Sequence, residues 1–374
     1  MIEIQVPGDG PYNAKIMIVG EAPAKHELES KKNFFGPSGD ILFNILHDYG
    51  LNRSNIYITN VFKVRLPGDN IKRIHEIMNE ETIEKYINFL QDEIDAIKPN
   101  VIIALGNTAL AAITGKSKIG GTGILKYRGS ILQSLQGGYK VVSSIHPAAL
   151  LERQENKELF TWKQIVFLRF DINRAVEESK FPEINIPKRN IIICKKSHDL
   201  YSFLKKNDGR DKAANDIETF KSIPICTALC FDPNEAISIP LVNLSGPGNS
   251  SIKIERHERV EIFKLLADFF ISKVKKVGQN YNFDQTIQER FGWKINNFHS
   301  DIMLKMSVLY PELPKKLAVS TSLFTKEPYY KDEGKEYNPK KDIPERLLRY
   351  NGMDACLTQE IDDFLETEFD RVRR

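Results

Sequence analysis

Hydrophobic residues in the first half of the chain follow two alternating patterns. Apolar residues recur at helical spacing in segments 41–46 and 83–97, which predicts amphipathic helices. Four short runs are almost continuously apolar, as in strands buried on both faces of a sheet; they are residues 15–20, 56–61, 101–106 and 140–145. Strands that alternate with helices predict a parallel α/β sheet. Because ligands of such sheets bind beyond the carboxyl ends of the strands, we expect the chemistry in the loops that leave these runs.

The second half of the chain has a different order of elements. A helical stripe is formed by Ile262, Leu265, Leu266 and Phe269, and it follows a group of strand-like runs. This order predicts a second, mixed α/β domain. The strand-like runs are residues 190–194, 213–217, 225–231 and 236–242.

A segment between the two halves interrupts both patterns. Residues 178–190 contain two prolines among charged residues, which is typical of a linker. We therefore expect a first domain at residues 1–180, a linker at 181–189 and a second domain at 190–374. Residues 329–341 are rich in Lys, Glu, Gly and Pro without periodicity, which predicts a mobile loop near a second site.

Length and charge narrow the class of protein. A chain of 374 residues suits two domains that each bury a core. The formal net charge is only +3, so a surface that binds nucleic acid must come from the distribution of charge. Residues 101–150 contain no Asp or Glu, and a polyanion could dock there; the alternative is a chance acid-poor stretch beside a Gly-rich loop. The basic residues of this stretch are Lys116, Lys118, Lys126, Arg128 and Lys140.

The termini and the cysteines exclude further classes. The start of the chain lacks the pattern of a secretory signal, and its apolar stretches are too short for a membrane span. We expect a soluble, cytoplasmic protein without a membrane partner, located in the host cytoplasm if it is viral. All four cysteines lie in the second half without a Cys-x-x-Cys pair, which argues against a zinc site or a disulfide framework and predicts buried free thiols.

Four acids and a tyrosine in the second half are candidates for chemistry. Asp216 and Glu218 are two residues apart in a strand-like run, so both carboxylates point to the same face of the strand. Asp284 lies at a predicted helix start, where it could also be a cap. Asp354 follows Tyr350 by four positions, which places both on one helical face. Each fragment alone is weak, since an Asp-x-Glu pair on a strand is more often solvated than catalytic.

Taken together, in this order and with these spacings, the five residues resemble the DEDD-type exonucleases that carry tyrosine in the last motif, as in the proofreading domains of family A DNA polymerases. The resemblance covers most of residues 190–374. It extends to segments 300–304, 309–313 and 327–335, which are similar to those of phage and bacterial polymerases in this family. It implies a ribonuclease-H-like mixed sheet and a metal-dependent 3′→5′ exonuclease that acts on single-stranded 3′ ends of DNA.

The chemistry that this resemblance implies agrees with the residue types. Hard oxygen ligands select Mg²⁺ or Mn²⁺, and two such ions about 3.5–4 Å apart can drive phosphodiester hydrolysis. The resemblance assigns Tyr350 to orient the attacking water. It assigns the ligands, direct or through water, as Asp216, Glu218, Asp284 and Asp354.

A polymerase is the partner that the resemblance suggests. In family A polymerases a polymerase domain normally follows the exonuclease domain, yet no polymerase motif is found before Arg374. Two alternatives stay open. The chain is either part of a longer, phage-like DNA polymerase, or it supplies proofreading to a separate polymerase subunit.

The loops of the first half contain a second series of motifs. Gly20-Glu21-Ala22-Pro23-Ala24 follows the first run as a tight turn that presents Glu21. Segments 34–39, 59–67 and 104–107 come next, and the last run delivers His146-Pro147-Ala148-Ala149-Leu150-Leu151. A lone His before Pro is more often structural. The full series, over residues 6–153, resembles the uracil-DNA glycosylase superfamily, most of all its iron–sulfur type, and implies a three-layer domain with a parallel sheet.

A glycosylase flips the base out of the duplex, reads its edge and stabilises the sugar cation as the glycosidic bond breaks. By resemblance, Phe34 stacks on uracil, Asn60 bonds its edge, His146 stabilises charge on the base and Glu21 positions or activates water. Leu150 or Leu151 inserts into the vacated stack. The remaining contacts to DNA are expected from Lys126, Arg128 and Arg153.

Two departures from the iron–sulfur type bear on activity. That type uses four cysteines and this half has none, so we expect no iron–sulfur cluster. Ala24 stands where a second glycine is usual. The first domain therefore either excises uracil or keeps the fold for DNA binding alone. For the whole chain, two alternatives to a DNA exonuclease are a DNA-binding accessory module of a replication complex, with one or both sites inactive, and an RNA-directed exonuclease of the same group.

Overall fold

A computed structural model of the chain describes residues 2–151, 158–248, 250–332 and 342–373, without the side chains of 158–162. The chain divides into two compact units, and the division between Ile186 and Pro187 falls inside the predicted linker. The first unit consists of Met1–Ile186 and Lys326–Tyr329, and the second of Pro187–Thr325 and Tyr330–Arg374. The return of Lys326–Tyr329 to the first unit is a feature that the sequence pattern did not predict.

The first unit contains a sheet of five strands in the order β2-β1-β3-β5-β4. The four predicted runs form β1, β2, β3 and β5, which pair in parallel. The short edge strand β4, absent from the sequence prediction, pairs antiparallel with β5. The strands are β1 (Ile16–Gly20), β2 (Tyr57–Asn60), β3 (Val101–Leu105), β4 (Ile131–Gln133) and β5 (Lys140–Ser144).

All residues of the four parallel strands are buried, which indicates that helices cover both faces of this sheet. This is the predicted three-layer arrangement. Both predicted helical stripes are buried faces of helices, the first in α2 and the second in α3. The helices are α1 (Lys25–Ser30), α2 (Pro37–Asp48), α3 (Glu80–Ile97), α4 (Gly106–Thr114), α5 (Ile124–Tyr127) and α6 (Glu158–Glu178).

The second unit is built on a six-stranded sheet in the order β13-β12-β7-β8-β9-β6. Strands β7, β8 and β9 are antiparallel neighbours, whereas β13, β12 and β7 run in parallel, as do β6 and β9. The predicted mixed sheet is confirmed. Its strands are β6 (Asn190–Ile193), β7 (Lys212–Phe220), β8 (Ile223–Asp232), β9 (Glu235–Pro240), β12 (Lys275–Gly278) and β13 (Phe298–Asp301), and a separate hairpin contains β10 (Leu244–Ser245) and β11 (Ser251–Ile252).

One long helix of the second unit, α12, crosses this sheet and packs on β7, β8 and β9. Gly352 lies where α12 meets β6, and a Cβ there would be 2.4 Å from Ile191 Cγ2. The helix can therefore approach the sheet only because this position has no side chain. The helices are α7 (Ser197–Lys206), α8 (Arg256–Ile271), α9 (Tyr281–Arg290), α10 (Ile302–Leu309), α11 (Leu317–Phe324) and α12 (Pro344–Arg373). Within the described residues, none of the helices combines the length and the apolar character needed to cross a bilayer.

Replacing Gly352 by Ala should destabilise the second unit. In an exposed helix this change would add up to about 1 kcal/mol of stability. Here the new methyl group would overlap the buried Ile191, and we expect the free energy of unfolding to fall by about 1–3 kcal/mol. Urea denaturation followed by circular dichroism measures the change. If the clash is the cause, Ile191→Ala should cost less in the Gly352→Ala background than alone, and strict additivity would contradict this explanation.

Candidate active sites

A cavity of about 790 Å³ lies at the carboxyl ends of the parallel strands in the first unit. Four of the predicted site residues line it. Glu21 follows β1, Asn60 ends β2, and His146 follows β5, while Phe34 comes from the segment between α1 and α2. Parallel pairing of β1 with β2 and β3 thus brings together side chains that are far apart in sequence.

The floor of this cavity depends on Gly20. A Cβ at this position would be 2.3 Å from Asn60 Oδ1 and 2.6 Å from Phe34 Cζ, so only glycine leaves room for both side chains. The buried Asn60 amide donates a hydrogen bond to Asn33 Oδ1 at 2.7 Å. The Asn33 amide in turn donates to the Pro7 carbonyl oxygen at 2.6 Å. The orientation of Asn60 is therefore fixed before any ligand binds.

The backbone of Phe34 is held in a left-handed conformation with φ of 51°. The Phe34 amide donates to Glu27 Oε1 at 2.5 Å, and its carbonyl oxygen accepts from Arg53 Nη2 at 2.9 Å. A Cβ on Gly39 would be 1.9 Å from that oxygen. These contacts aim the Phe34 ring at His146, with ring centroids 5.6 Å apart and an interplanar angle of 27°. Glu27 is a positioning residue that the sequence analysis missed.

His146 is present as a neutral imidazole. Its Nδ1 accepts a hydrogen bond from the Ala148 amide at 3.2 Å, which leaves the proton on Nε2. Burial lowers the pKa of His146 to about 4. Glu21 accepts a hydrogen bond from the Thr108 hydroxyl, yet burial, the larger effect, raises the pKa of Glu21. Thr108, also missed from the sequence, directly follows the 104–107 segment.

The predicted DNA contacts of the first unit have different environments. Leu150 is buried in the core, whereas Leu151 is 39% exposed, so Leu151 is the leucine available to enter a base stack. Lys126 is half-buried, with its ammonium 4.9 Å from the ring centroids of Tyr127 and Tyr329. Arg153 lies outside the described residues.

The prediction that Arg128 contacts DNA is wrong. Arg128 is 3% exposed and forms an ion pair with the buried Asp171, with Nε 3.0 Å from Oδ2. Lys140 is fully buried as well and lies 2.9 Å from Glu178 Oε2. Both acids belong to α6, outside the acid-poor stretch 101–150. The charge of that stretch is thus partly neutralised within the core, and a basic face cannot include these two residues.

Three carboxylates converge in the second unit. Asp216 and Glu218 lie on β7 and Asp354 on α12, and one ligand oxygen from each lies within 4.8 Å of the others. Asn351, on the same helix, donates from Nδ2 to Asp216 Oδ2 at 2.8 Å. The predicted Asp-x-Glu pair therefore faces the helix that carries the last motif.

Asp284, the fourth predicted ligand, is not one of the three carboxylates that lie within 4.8 Å of one another. It is buried in α9, and its Oδ1 accepts a hydrogen bond from the Ile217 amide at 2.8 Å. Ile217 separates Asp216 from Glu218 on β7. Asp284 is not the cap of α9, because Asn280 precedes the helix. The contact fixes the strand segment that presents the two carboxylates.

The carboxylates repel one another in a poorly solvated place. Burial, with the charge of Asp354 second, raises the pKa of Asp216 to about 7. Burial, followed by the charges of Asp216 and Asp354, raises the pKa of Glu218 to about 9. Burial also raises the pKa of Asp284. Oxygen ligands whose ionised forms lack a sufficient counter-charge fit a hard divalent cation such as Mg²⁺ or Mn²⁺.

Tyr350 and two residues missed from the sequence complete the cluster. The half-buried Tyr350 hydroxyl accepts a hydrogen bond from Lys331 Nζ at 2.9 Å. Lys331 also donates to Asp354 Oδ2, and the Tyr330 hydroxyl donates to Asp354 Oδ1. Both residues lie in segment 327–335, which contributed to the family resemblance without an assigned role, and in the predicted 329–341 loop. Of that loop, residues 333–341 lie outside the described residues.

A groove of about 420 Å³ lies between the end of β7 and α9. Thr219, adjacent to Glu218, forms one wall, and α9 forms the other. Phe283 is 49% exposed there, next to Asp284. The other lining residues are Ser222, Asn280, Asn282, Thr286, Ile287 and Arg290. Amides, hydroxyls, an aromatic ring and a guanidinium suit a ligand with bases, sugars and phosphates.

Comparison with known proteins agrees with the geometry of the first unit. The uracil-DNA glycosylase superfamily matches residues 7–166. The type-4 uracil-DNA glycosylase of Archaeoglobus fulgidus is 36% identical over 155 residues, which cover 41% of this chain and 75% of that protein. The corresponding protein of Pyrobaculum aerophilum is 33% identical over 182 residues, 47% of this chain and 87% of the relative. The chain belongs to the uracil-DNA glycosylase superfamily.

Beyond this superfamily unit, a 3′-5′ exonuclease family matches residues 236–370. The match includes Asp284, Tyr350 and Asp354, while Asp216 and Glu218 precede it. A DNA polymerase of Bacillus phage SP01 is 29% identical over 154 residues, which cover 41% of this chain and 15% of the polymerase. Both resemblances inferred from the sequence are thereby confirmed.

Solved exonuclease structures also align with about half of the chain. RNase D of Escherichia coli aligns with a TM-score of 0.38 at 15% identity, over 49% of this chain and 46% of that chain. The Nibbler EXO domain of Aedes aegypti aligns with a TM-score of 0.39 at 14% identity, over 50% of this chain and 92% of that domain.

Replacing Arg128 by Met should destabilise the glycosylase-superfamily unit. The change leaves Asp171 buried without its ion-pair partner, and losing one partner of a buried pair costs about 3–5 kcal/mol. Chemical denaturation measures the loss. The matched control is Lys116→Met, an exposed lysine of the same stretch, for which we expect a change within about 0.5 kcal/mol. An Arg128→Met protein as stable as this control would refute the structural role.

Proposed function

We propose that the second unit is a metal-dependent 3′→5′ exonuclease that removes nucleotides from single-stranded DNA ends. The observation that carries the proposal is the convergence of Asp216, Glu218 and Asp354, with ligand oxygens within 4.8 Å of one another. The match to a 3′-5′ exonuclease family supports the reaction class. The glycosylase-superfamily unit in the same chain supports DNA as the substrate rather than RNA.

Two Mg²⁺ or Mn²⁺ ions are the cofactors that we propose for this unit. Asp216, Glu218 and Asp354 would hold them directly, and Asp284 through water. When bound, such ions activate a water and stabilise the departing 3′-oxygen. The oxygen-only ligand set supports this choice over zinc.

The chain's own residues then position the reacting groups. Asn351 holds Asp216 by a hydrogen bond of 2.8 Å, and Asp284 fixes the backbone between Asp216 and Glu218. The Tyr350 hydroxyl orients the attacking water. In the groove between β7 and α9, the exposed Phe283 ring offers a stacking surface for a base.

A link to a DNA polymerase is the partner relation that we infer, with proofreading as the role. The phage polymerase relative supports it. Both arrangements, a longer polymerase chain and a separate polymerase subunit, agree with this proposal. An accessory module with silent sites is the alternative, and the presence of all five exonuclease side chains argues against it.

Asp216→Asn should remove the exonuclease activity. The amide keeps the shape of the side chain but loses a metal ligand's charge, and we expect Mg²⁺-dependent degradation of a single-stranded DNA oligonucleotide to slow by at least about a thousandfold, which is ~4 kcal/mol of transition-state stabilisation. A 3′-labelled and a 5′-labelled oligonucleotide on denaturing gels measure rate and polarity.

The matched control for this experiment is Asp268→Asn, an exposed acid on α8, which should leave the rate unchanged. An RNA oligonucleotide of the same sequence, at equal Mg²⁺, should be degraded more slowly than the DNA. Undiminished degradation by Asp216→Asn would refute the metal-site assignment. Faster degradation of RNA than of DNA would make RNA the substrate.

For the first unit, we propose recognition and excision of uracil in DNA. The presence of Glu21, Phe34, Asn60 and His146 on one cavity carries this second function. Phe34 stacks on the base, Asn60 bonds its edge, neutral His146 donates from Nε2 to the charge that grows on the base, and Glu21 positions water. We infer that the unit works without an iron–sulfur cluster, because its residues include no cysteine.

The contribution of His146 to uracil excision should persist to low pH, so a fall in rate above pH 5 would come from another group such as Glu21, whose pKa is raised. Because burial lowers the pKa of His146 to about 4, its neutral form dominates at pH 5, whereas an ordinary histidine would be largely protonated below a pKa of about 6.5. We expect no loss of rate from His146 between pH 8 and pH 5. Single-turnover excision from a uracil-containing oligonucleotide, followed by alkaline cleavage, measures the profile.

In the same assay, Asn60→Ala should slow excision by at least about a hundredfold, the usual effect of removing a preorganised hydrogen-bonding group. Asn88→Ala, on the exposed side of α3, is the matched control and should have no effect. Excision by the unaltered chain no faster than by Asn60→Ala would favour a unit that binds DNA without cutting the base from it.

A further inference from the structure

We propose that Lys331 is a counter-ion of the carboxylate cluster, which a divalent cation must displace from Asp354. The inference rests on the metal site of the proposed exonuclease and adds a residue that neither the motif pattern nor the family comparison assigns. It makes metal binding a competition between an ammonium group of the chain and the incoming ion.

Both carboxylate oxygens of Asp354 are engaged by consecutive residues. The Tyr330 hydroxyl donates to Oδ1 and the Lys331 ammonium donates to Oδ2. Lys331 also donates to the Tyr350 hydroxyl at 2.9 Å. Its Nζ lies 4.7 Å from the centroid of the Tyr350 ring and 5.1 Å from that of Tyr330. The ammonium is thus held by the carboxylate, the phenol oxygen and the aromatic faces together.

The Lys331 ammonium offsets part of the negative charge of the carboxylate cluster. Lys331 forms an ion pair with Asp354. Within the described residues, no other lysine or arginine forms an ion pair with Asp216, Glu218, Asp284 or Asp354. Asp216, Glu218 and Asp354 offer oxygens within 4.8 Å of one another, so one positive charge offsets part of a strong mutual repulsion. Lys331 therefore helps to keep the cluster assembled in the absence of a divalent ion.

The two hydrogen-bond donors to Asp354, Tyr330 and Lys331, differ in whether they can stay in place when a divalent cation binds to Asp354. A carboxylate oxygen has more than one lone pair, so the neutral Tyr330 hydroxyl can keep its hydrogen bond while an ion binds. An ammonium at Oδ2 repels a divalent cation that approaches the same oxygen. Binding of the ion to Asp354 must consequently move Lys331, and the lost ion pair lowers the apparent metal affinity.

Titration of the full chain with Mn²⁺, followed by isothermal calorimetry, tests this competition. Lys331→Met and Lys331→Gln should both bind Mn²⁺ about tenfold more tightly than the unaltered chain, which corresponds to ~1.4 kcal/mol. Lys331→Arg keeps the charge and should bind within about twofold of the unaltered chain. A general loss of structure would weaken binding, so the sign of the change separates competition from damage.

Thermal melting in EDTA gives a second readout. Lys331→Met and Lys331→Gln should melt below the unaltered chain in EDTA, because the cluster loses its counter-ion, and the difference should shrink at saturating Mn²⁺. Unchanged or weaker Mn²⁺ binding in both variants, or equal melting in EDTA, would overturn the inference. The metal site of the proposed function has its own test. It would be refuted if the unaltered chain bound no Mn²⁺, or if Asp216→Asn bound Mn²⁺ as tightly as the unaltered chain.

Discussion

Repulsion between closely spaced, poorly solvated carboxylates is the constraint on which the second unit depends. Asp216 and Glu218 project from one strand toward Asp354 on a helix, and their shared burial raises the pKa of Asp216 and Glu218. Charges of one sign stay together only if the surrounding structure holds them. The packing of α12 on β7, β8 and β9 supplies that hold, and the close approach of Gly352 to Ile191 is one of its conditions.

The cavity of the first unit differs from this cluster, because its polar groups carry little charge. Burial lowers the pKa of His146 and raises the pKa of Glu21, so each change disfavours the charged form of the residue. The Phe34 ring owes its place to a strained backbone held by Glu27 and Arg53. Such a preorganised surface suits a flat, neutral base with hydrogen-bonding edges.

Periodicity and motif spacing predicted much of this from the sequence. Buried parallel strands are almost continuously apolar, so β1, β2, β3 and β5 were recognisable, and residues that follow such strands had to meet at one edge. The short strand β4 carries too few residues for a pattern. The partners of Arg128 and Lys140 were invisible because Asp171 and Glu178 lie in α6, and a local count of charge takes no account of long-range ion pairs. Lys331 sits in an aperiodic segment, where nothing local indicates that its side chain reaches Asp354.

The two sites make opposite demands on electrostatics, and the two proposed activities depend on this difference. In the first cavity burial disfavours the charged forms of His146 and Glu21, which suits the neutral base of the proposed substrate. In the cluster around Asp216 the ionised carboxylates are unfavourable without a counter-charge. Cations must therefore bind before an anionic phosphate can approach. Lys331 meets part of that demand from within the chain. A resident ammonium keeps the acids close enough together for divalent ions to find a formed site, at the expense of some affinity for those ions.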